Sequence, residues 1–388
     1  MSLWILFAIL LAAVTVFGTF ELLFLTLGAL LYKPRQAHHE AGLNLAVIVP
    51  AHNESENISQ TVKSLLSCDS PHGQYQVYVI ADNCIDDTAD KARQAGAEIL
   101  ERQNDELRGK GYALDFAFKH LLEQTEIDAL LIVDADTTVE PNFIQVCEQT
   151  FMQGADGLQC RYTVNNPEAS RRNRLLNVAL LAFNVLRPRG RAFWNLSVGI
   201  SGNGFGLTRK TLQKVPYTAS SIVEDLEYHI TLVKRHLKVQ FIDNTTVRAD
   251  MPIAQKGAKT QRARWEGGRF RMMREHIPSL YQAAASGQQR LIEPLLDLLL
   301  LPLAIHVLLL LVLILIPFLP TQLYALIALC IVFGHVFAAL WIGKGTAQDF
   351  LILLTAPFYI LWKLTVLPLT LKTAAKNATW VRTDRDKQ

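Results

Sequence analysis

The sequence predicts an α/β domain built on a parallel sheet with crossover helices, set between membrane-spanning segments. Three observations carry this. Strand-like apolar runs alternate with helix-spaced segments from Leu45 onward, and three successive runs end on polar, mostly acidic residues. The third is composition: of 388 residues, 50% are hydrophobic and 19% charged, and the mean hydropathy is +0.19. That is too apolar for an ordinary soluble domain, so part of the chain belongs in lipid.

Residues 3–32 contain one charge, Glu21, and exceed the ~20 apolar residues a bilayer requires, which predicts a transmembrane helix. A cleaved signal peptide would begin with basic residues and carry a shorter apolar core. Lys33 and Arg35 follow the span and no Lys or Arg precedes it, so the N-terminus is expected outside and the chain after Lys33 in the cytosol. From Leu291 the chain again reads as membrane material, with candidate segments at 295–319, 322–342 and 349–371. Three crossings would leave the basic tail outside. Two crossings plus one interfacial or re-entrant piece are therefore expected, the last segment being the candidate because of Pro357, Lys363 and Pro368. The expected divisions are 1–32 (transmembrane helix), 43–275 (cytosolic α/β domain with interfacial helices), 288–371 (membrane) and 372–388 (basic cytosolic tail). Five cysteines without a C-x-x-C pair fit a reduced compartment and no structural zinc. The net charge of +3 does not point to nucleic acid, and the basic residues cluster locally at Arg171–Arg191 and Arg262–Arg274.

In chain order, L-A-V-I-V-P is a buried strand leading into the turn Ala51-His52-Asn53-Glu54, and Ile58–Leu66 has helical spacing. Tyr75–Ala81 is strand-like and ends at Asp82; a β signal at Glu98–Glu101 precedes G-K-G and a helix to about Leu122. The run Leu130–Asp136, L-L-I-V-D-A-D, reads as a buried strand whose end carries Asp134 and Asp136. Two carboxylates one residue apart on a tight turn suit a hard divalent cation, Mg²⁺ or Mn²⁺, with positions left open for phosphate oxygens; a solvated acidic loop would look the same in isolation. Asp82 at a strand end can accept hydrogen bonds from a uracil N–H or a ribose hydroxyl, whereas Asp86 and Asp87 also fit an ordinary Asx turn. Lys110, between two glycines, can reach a phosphate, although G-K-G lacks P-loop spacing.

Farther along, Leu175–Leu186 is an apolar helix too short to span, followed by R-P-R-G-R, and the arginines 187, 189 and 191 favour a place at the membrane surface. Gly199–Gly206 is glycine-dense, suited either to a sugar passing close to the backbone or to a tight turn. Ser221–Leu226 opens a helix with Glu224 and Asp225, which complement its dipole or present a base; His229, four residues beyond Asp225, is expected to make a plain helix contact. Gln261-Arg262-Ala263-Arg264-Trp265 lies in a basic amphipathic stretch, either an interfacial anchor or a place where Arg264 holds an anionic leaving group and Trp265 stacks on a sugar.

In this order and spacing, residues 45–270 resemble the membrane-embedded inverting glycosyltransferases of family 2, the group of cellulose, chitin-oligosaccharide, hyaluronan and poly-N-acetylglucosamine synthases and, more distantly, ceramide glucosyltransferase. V-I-V-P-A-H-N-E resembles the family's opening strand, Asp82 its nucleotide-contacting aspartate, Asp134-Ala135-Asp136 its D-x-D, Glu224-Asp225 its E-D pair, and Gln261–Trp265 its Q-x-x-R-W. The terminal Trp380–Arg385 is similar to the cytosolic tail of bacterial members. The resemblance implies a GT-A fold, a nucleotide-diphosphate sugar donor, UDP-linked by expectation, and metal-dependent transfer with inversion to a membrane-associated glycan or lipid-linked acceptor, as in polysaccharide biosynthesis. It implies donor contacts at Pro50, Asn53, Glu54, Asp82, Lys110, Asp134 and Arg264, acceptor contacts at Gly202, Asn203, Gln261 and Trp265, and metal ligands at Asp134 and Asp136. Asp225 would be the base, with Glu224 beside it. Export or biosynthesis partner proteins are left open. Val223 stands where processive synthases carry Thr, and no F-x-V-T-x-K loop follows Trp265. Those departures leave room for addition of one sugar to a membrane lipid. A transporter would place more polar groups in its spans than Asp297 and His306, and a catalytically dead scaffold would not need carboxylates at successive strand ends.

Overall fold

The structure, a computed structural model, describes residues 2–34, 42–123, 126–218 and 223–374. Two compact units emerge, one of Lys33–Asn166 with Ser197–Met251, the other of Met1–Tyr32, Pro167–Leu196 and Pro252–Gln388.

The first unit is built on eight strands: β1 (Asn44–Ala51), β2 (Gln74–Asp82), β3 (Glu98–Arg102), β4 (Ala129–Ile132), β5 (Thr137–Val139), β6 (Gly157–Val164), β7 (Phe205–Thr208) and β8 (Val239–Ala249). They form one sheet in the order β3-β2-β1-β4-β7-β6-β8-β5. In β1 and β4, Ala46–Val49 and Ala129–Ile132 are wholly buried; helices cover both faces, so these strands read as continuous apolar runs. The helix Ile58–Leu66 packs through Ile58, Val62 and Leu65, one stripe at helical spacing.

The strands β3, β2, β1 and β4 are parallel, as expected. Beyond β4 the sheet is mixed, because β7 runs antiparallel to both β4 and β6, and β5 antiparallel to β8. The expected strand through Asp136 also stops at Ile132. The Thr137 amide donates to the Asp134 carbonyl (3.1 Å), closing a turn on D-A-D and sending the chain away to β5. Glycine at 206 is required where β7 enters beside β4: a Cβ there would stand 2.6 Å from a Leu131 methyl.

The second unit is helical. Leu3–Leu31, Leu319–Ile342 and Ala347–Thr373 are long and apolar enough to cross a membrane. Gln289–Leu299, which contains the α-helix Ile292–Leu299, and Leu303–Leu315 form a pair bent by 73°. The first C-terminal segment is thus broken, while the last, the candidate for an interfacial or re-entrant piece, is long and apolar enough to cross. Extended backbone at Leu300 and Pro302 ends one helix before the next begins.

The helix expected over Leu175–Leu186 begins at Arg171 and continues through a π turn, Ala182–Leu186, and R-P-R-G-R to Phe193. Arg187 and Arg191, expected at the membrane surface, are instead buried. They pair with Asp297 and Glu293, while Arg189 lies over the Tyr32 ring at 5.9 Å. Along the N-terminal helix, Thr19 bonds His306 (3.1 Å) and Tyr324 (3.0 Å), and Thr26 bonds His335 (2.8 Å). Hydrogen bonds of this kind join helices where apolar contact alone gives little preference over lipid.

Candidate active site

The chemistry gathers where the parallel strands end. β1 runs into His52, whose Nδ1 lies 2.8 Å from the carbonyl oxygen of Asp82 at the end of β2. Asn53 adopts a left-handed backbone (φ 55°), and its side-chain carbonyl accepts from the Ile85 amide (2.9 Å). The Glu54 amide donates to Thr88 Oγ1 (2.8 Å). These contacts fix the loop after β2 against the turn after β1, with Pro50 in the ladder opposite Ile80. Asp82 is buried, and its Oδ1 accepts from Arg102 at 2.5 Å and from Asn83 at 3.1 Å. Asp86 is committed to the Thr88 hydroxyl and to the Thr88 and Ser55 amides. Although burial opposes ionisation, those bonds hold its carboxyl below the usual range.

Gly109 (φ +125°) turns the chain into the helix Lys110–Leu122, a backbone state that favours glycine. Lys110, first in that helix, reaches Asp134 Oδ1 at 2.5 Å and also donates to the Gly202 carbonyl. Burial alone would lower its pKa. The carboxylates of Asp134, Asp225 and Glu224 outweigh burial and hold the ammonium above its ordinary value. One cation thus serves three acids drawn from two separate stretches of chain.

Asn203 is fully buried and braces the D-A-D turn: its Oδ1 accepts from the Asp134 amide (3.1 Å) and its Nδ2 donates to Thr137 Oγ1 (2.8 Å). That corrects the acceptor contact expected of Asn203, because both ends of its amide are engaged within the turn. Gln159 fixes the glycine-rich loop from below, accepting from the Ser201 amide (2.8 Å) and donating to the Asn203 carbonyl (2.8 Å). The loop is not a two-stranded hairpin. It carries Gly202 and Gly204 at positive φ and leads into β7. A Cβ at Gly202 would collide with the Asp225 carboxylate, so glycine lets the loop and the acid approach.

Glu224 and Asp225 open the helix Glu224–Lys234. Burial raises the pKa of both; Asp225 adds to the rise at Glu224, while Lys110 opposes it at each. Asp225 Oδ1 is shielded from solvent and has no hydrogen-bond partner among the described residues. Beneath the pair, Tyr217 packs against Tyr228 with ring centroids 4.6 Å apart, and the Tyr228 hydroxyl donates to the Val215 carbonyl (2.6 Å). His229 Nε2 lies 3.0 Å from the Ser197 hydroxyl.

Lys110, Asp134, Gly202, Glu224 and Asp225 are thus brought together in one unit. Gln261, Arg264 and Trp265 lie on the helix Gln255–Ala285, which belongs to the helical unit. There the Arg262 guanidinium sits over the Trp265 ring at 5.5 Å. Sequence reasoning missed Arg102, Gln159 and the bracing role of Asn203. Arg102 alone carried a signal, a basic residue closing the third strand.

The profile described as "Glycosyltransferase like family 2" matches residues 42–268, more than half of the chain. The chain belongs to glycosyltransferase family 2. It is similar to a probable glycosyltransferase, YdaM, of Bacillus subtilis (24% identity over 233 residues, 58% of this chain and 54% of the relative). It is also similar to the beta-monoglucosyldiacylglycerol synthase of Synechocystis (27% over 238 residues, 58% and 47%). The transferase spans about half the length of these relatives. Among solved structures, the mannosyltransferase PcManGT of Pyrobaculum calidifontis, in complex with GDP-Man and Mn²⁺, superposes with a TM-score of 0.58 at 17% identity, covering 97% of this chain and 99% of that one. That likeness establishes the GT-A-type fold with flanking apolar helices.

The described residues hold another set of carboxylates close enough to share an ion, Glu21, Glu293 and Asp297. Arginines 187, 191 and 269 surround them, so they form a charge network and not a metal centre. The D-A-D turn fits a hard cation better. It presents two carboxylates from one braced turn, and the Asp134 side chain is 32% exposed.

Proposed function

We propose that this family 2 enzyme transfers a sugar, with inversion, from a UDP-linked donor to a membrane-associated acceptor, and that Asp225 is the base. The observation that carries the reading is the convergence of Lys110, Asp134, Gly202 and Asp225 at the strand ends, with one Asp225 oxygen carrying no partner among the described residues. Inversion is a single in-line displacement at the anomeric carbon. A carboxylate on the acceptor side must take the hydroxyl proton as the new bond forms. Raised above its ordinary pKa, Asp225 is a stronger base than a free carboxylate.

Asp134 and Asp136 would hold Mg²⁺ or Mn²⁺, which when bound neutralises the leaving diphosphate. Lys110 holds Asp134 in place and keeps positive charge on the donor side. Asp82, oriented by Arg102, offers a carboxylate to the nucleoside. Asn53, Glu54 and Pro50 shape that edge of the donor site, and Arg264 and Trp265 serve the diphosphate and the acceptor. The acceptor is a lipid or lipid-linked glycan in the bilayer, with the catalytic unit on the cytosolic face.

Val223 in place of Thr, together with the glucosyldiacylglycerol synthase among the relatives, favours addition of one sugar to a lipid over polymerisation. The test incubates purified enzyme with radiolabelled UDP-glucose, UDP-N-acetylglucosamine and GDP-mannose and vesicles containing phosphatidylglycerol and diacylglycerol. Label is expected in a single lipid product and absent after EDTA. A high-molecular-weight product would instead establish polymerisation, and full turnover in EDTA would remove the metal from the reading.

A further inference from the structure

The buried charge network of the helical unit has a hub. Asp297 lies in the last turn of Ile292–Leu299, and its carboxylate receives three guanidinium groups: Arg191 at 2.6 Å, Arg269 at 3.3 Å, and Arg187. Arg191 also pairs with Glu293 and lies 3.7 Å from Glu21, which is wholly buried on the N-terminal helix. Arg269 does more than pair with the Asp297 side chain. It donates to the backbone carbonyls of Asp297 and Leu300, the latter at 3.0 and 3.2 Å. Those carbonyls lie at the end of a helix that breaks at Leu300–Pro302, where the Asp297 carbonyl accepts from the Leu300 amide at 3.3 Å and regular helical pairing stops. A cation there is favoured twice, by the carboxylate and by the negative end of the helix dipole.

Arg269 stands four residues after Trp265, about one turn along the same helix. The other flank of that turn is tied to the last helix. Glu266 pairs with Lys363, the Ala263 carbonyl accepts from Thr373 Oγ1 (2.6 Å), and Gly267 lies so close to Thr373 that a Cβ would collide with it. Contacts at 263, 266, 267 and 269 therefore bracket Arg264 and Trp265 and set the rotation of that turn.

We propose that Asp297, acting through Arg269, is a positioning residue for Arg264 and Trp265; the inference rests on the roles given to that pair above. A rotation of the helix by a few degrees displaces a long side-chain tip by about 1 Å, and misplacement on that scale can cost about 10²-fold in rate.

The test measures partition. Full-length enzyme is given radiolabelled UDP-glucose, UDP-N-acetylglucosamine or GDP-mannose with phosphatidylglycerol–diacylglycerol vesicles, and sugar transferred to lipid is compared with sugar released to water. Asp297→Asn and Arg269→Gln are expected to lower the lipid-to-water ratio by about 10²-fold, and to weaken UDP binding as Arg264 moves off the diphosphate. Glu21→Gln, in the same network through Arg191 (3.7 Å) and with no ion pair to the Gln255–Ala285 helix among the described residues, is expected to keep the native ratio. If the network only stabilises the fold, all three variants reduce total turnover and leave the ratio native, and the proposal is overturned. Should Asp297→Asn not fold, Arg269→Lys decides: it keeps the charge but loses the fork that spans carboxylate and carbonyls, so a native ratio there also overturns it. Arg264→Lys and Trp265→Ala are run in parallel. Normal transfer by both would remove the roles on which the inference rests, a result distinct from failure of Asp297 alone.

Discussion

At the scale of single residues, the proposed function gives the two acids of the E-D pair different roles. Adjacent residues at a helix start project about 100° apart, so one of the two carboxylates faces any given ligand. Gly202 identifies Asp225 as the acid that meets the glycine loop, while Glu224 is buried behind it. Asp225→Asn keeps the shape and removes the basicity. Transfer is expected to fall by about 10²–10⁴-fold with donor binding retained, as read by calorimetric titration with UDP. Because the Asp225 pKa is raised, the acid limb of kcat/KM is expected above the ordinary carboxylate range. Glu224 makes a different prediction. Burial raises its pKa from 4.5 to about 8, so the folded state prefers it protonated. Its contribution is fully present below the unfolded pKa and is lost as pH rises through the folded one. Glu224→Gln mimics the protonated form, so it is expected to raise the apparent Tm at pH 9 and leave it unchanged at pH 4. An equal effect at both pH values would show that Glu224 is not the titrating group.

At the scale of elements, the parallel half of the sheet was legible because β1, β4 and the second half of β2 are apolar runs that stop at or just before polar residues, a pattern produced by burial on both faces. The antiparallel half was not legible. β5 and β7 are three and four residues long and carry too little alternation to declare a direction. The acids of the site were legible, since carboxylates at strand ends are conspicuous in an apolar chain; their supports were not. Asn203 and Gln159 act through amides whose partners are 42–69 residues away, and no local spacing encodes such bonds. Asn203→Ala tests the brace: it leaves the Asp134 amide and the Thr137 hydroxyl without their partner, at a cost of about 1–3 kcal/mol. The variant is expected to need more Mn²⁺ for half-maximal activity, because the two carboxylates lose their fixed separation. An unchanged metal requirement would make Asn203 a purely structural residue.

At the scale of the whole molecule, the composition that placed part of the chain in lipid also fixes which surfaces meet water. Leu3–Leu31 carries Glu21 as its one charge, and Glu21 is turned inward, leaving Leu3, Leu6, Leu10, Phe17, Phe20 and Leu31 exposed, as a lipid-facing helix requires. The charge argument for orientation is one of sequence: Lys33 and Arg35 follow the first span and Lys372, Lys376, Arg382, Arg385 and Lys387 close the chain, with Arg35, Trp380–Arg385 and the tail beyond Ala374 outside the described residues. The proposed donor supplies a second argument: a nucleotide sugar does not cross a bilayer unaided, so on the function proposed above the unit carrying Asp82, Asp134 and Asp225 faces the compartment that makes it. Both arguments put Ser2 outside and the exposed Gln103, next to β3, inside. In a Cys330→Ser background, Ser2→Cys is expected to react with an impermeant maleimide on intact cells, and Gln103→Cys only after permeabilisation. The reverse pattern would place the catalytic unit away from its donor and overturn the cytosolic assignment, whatever the transferase does in detergent.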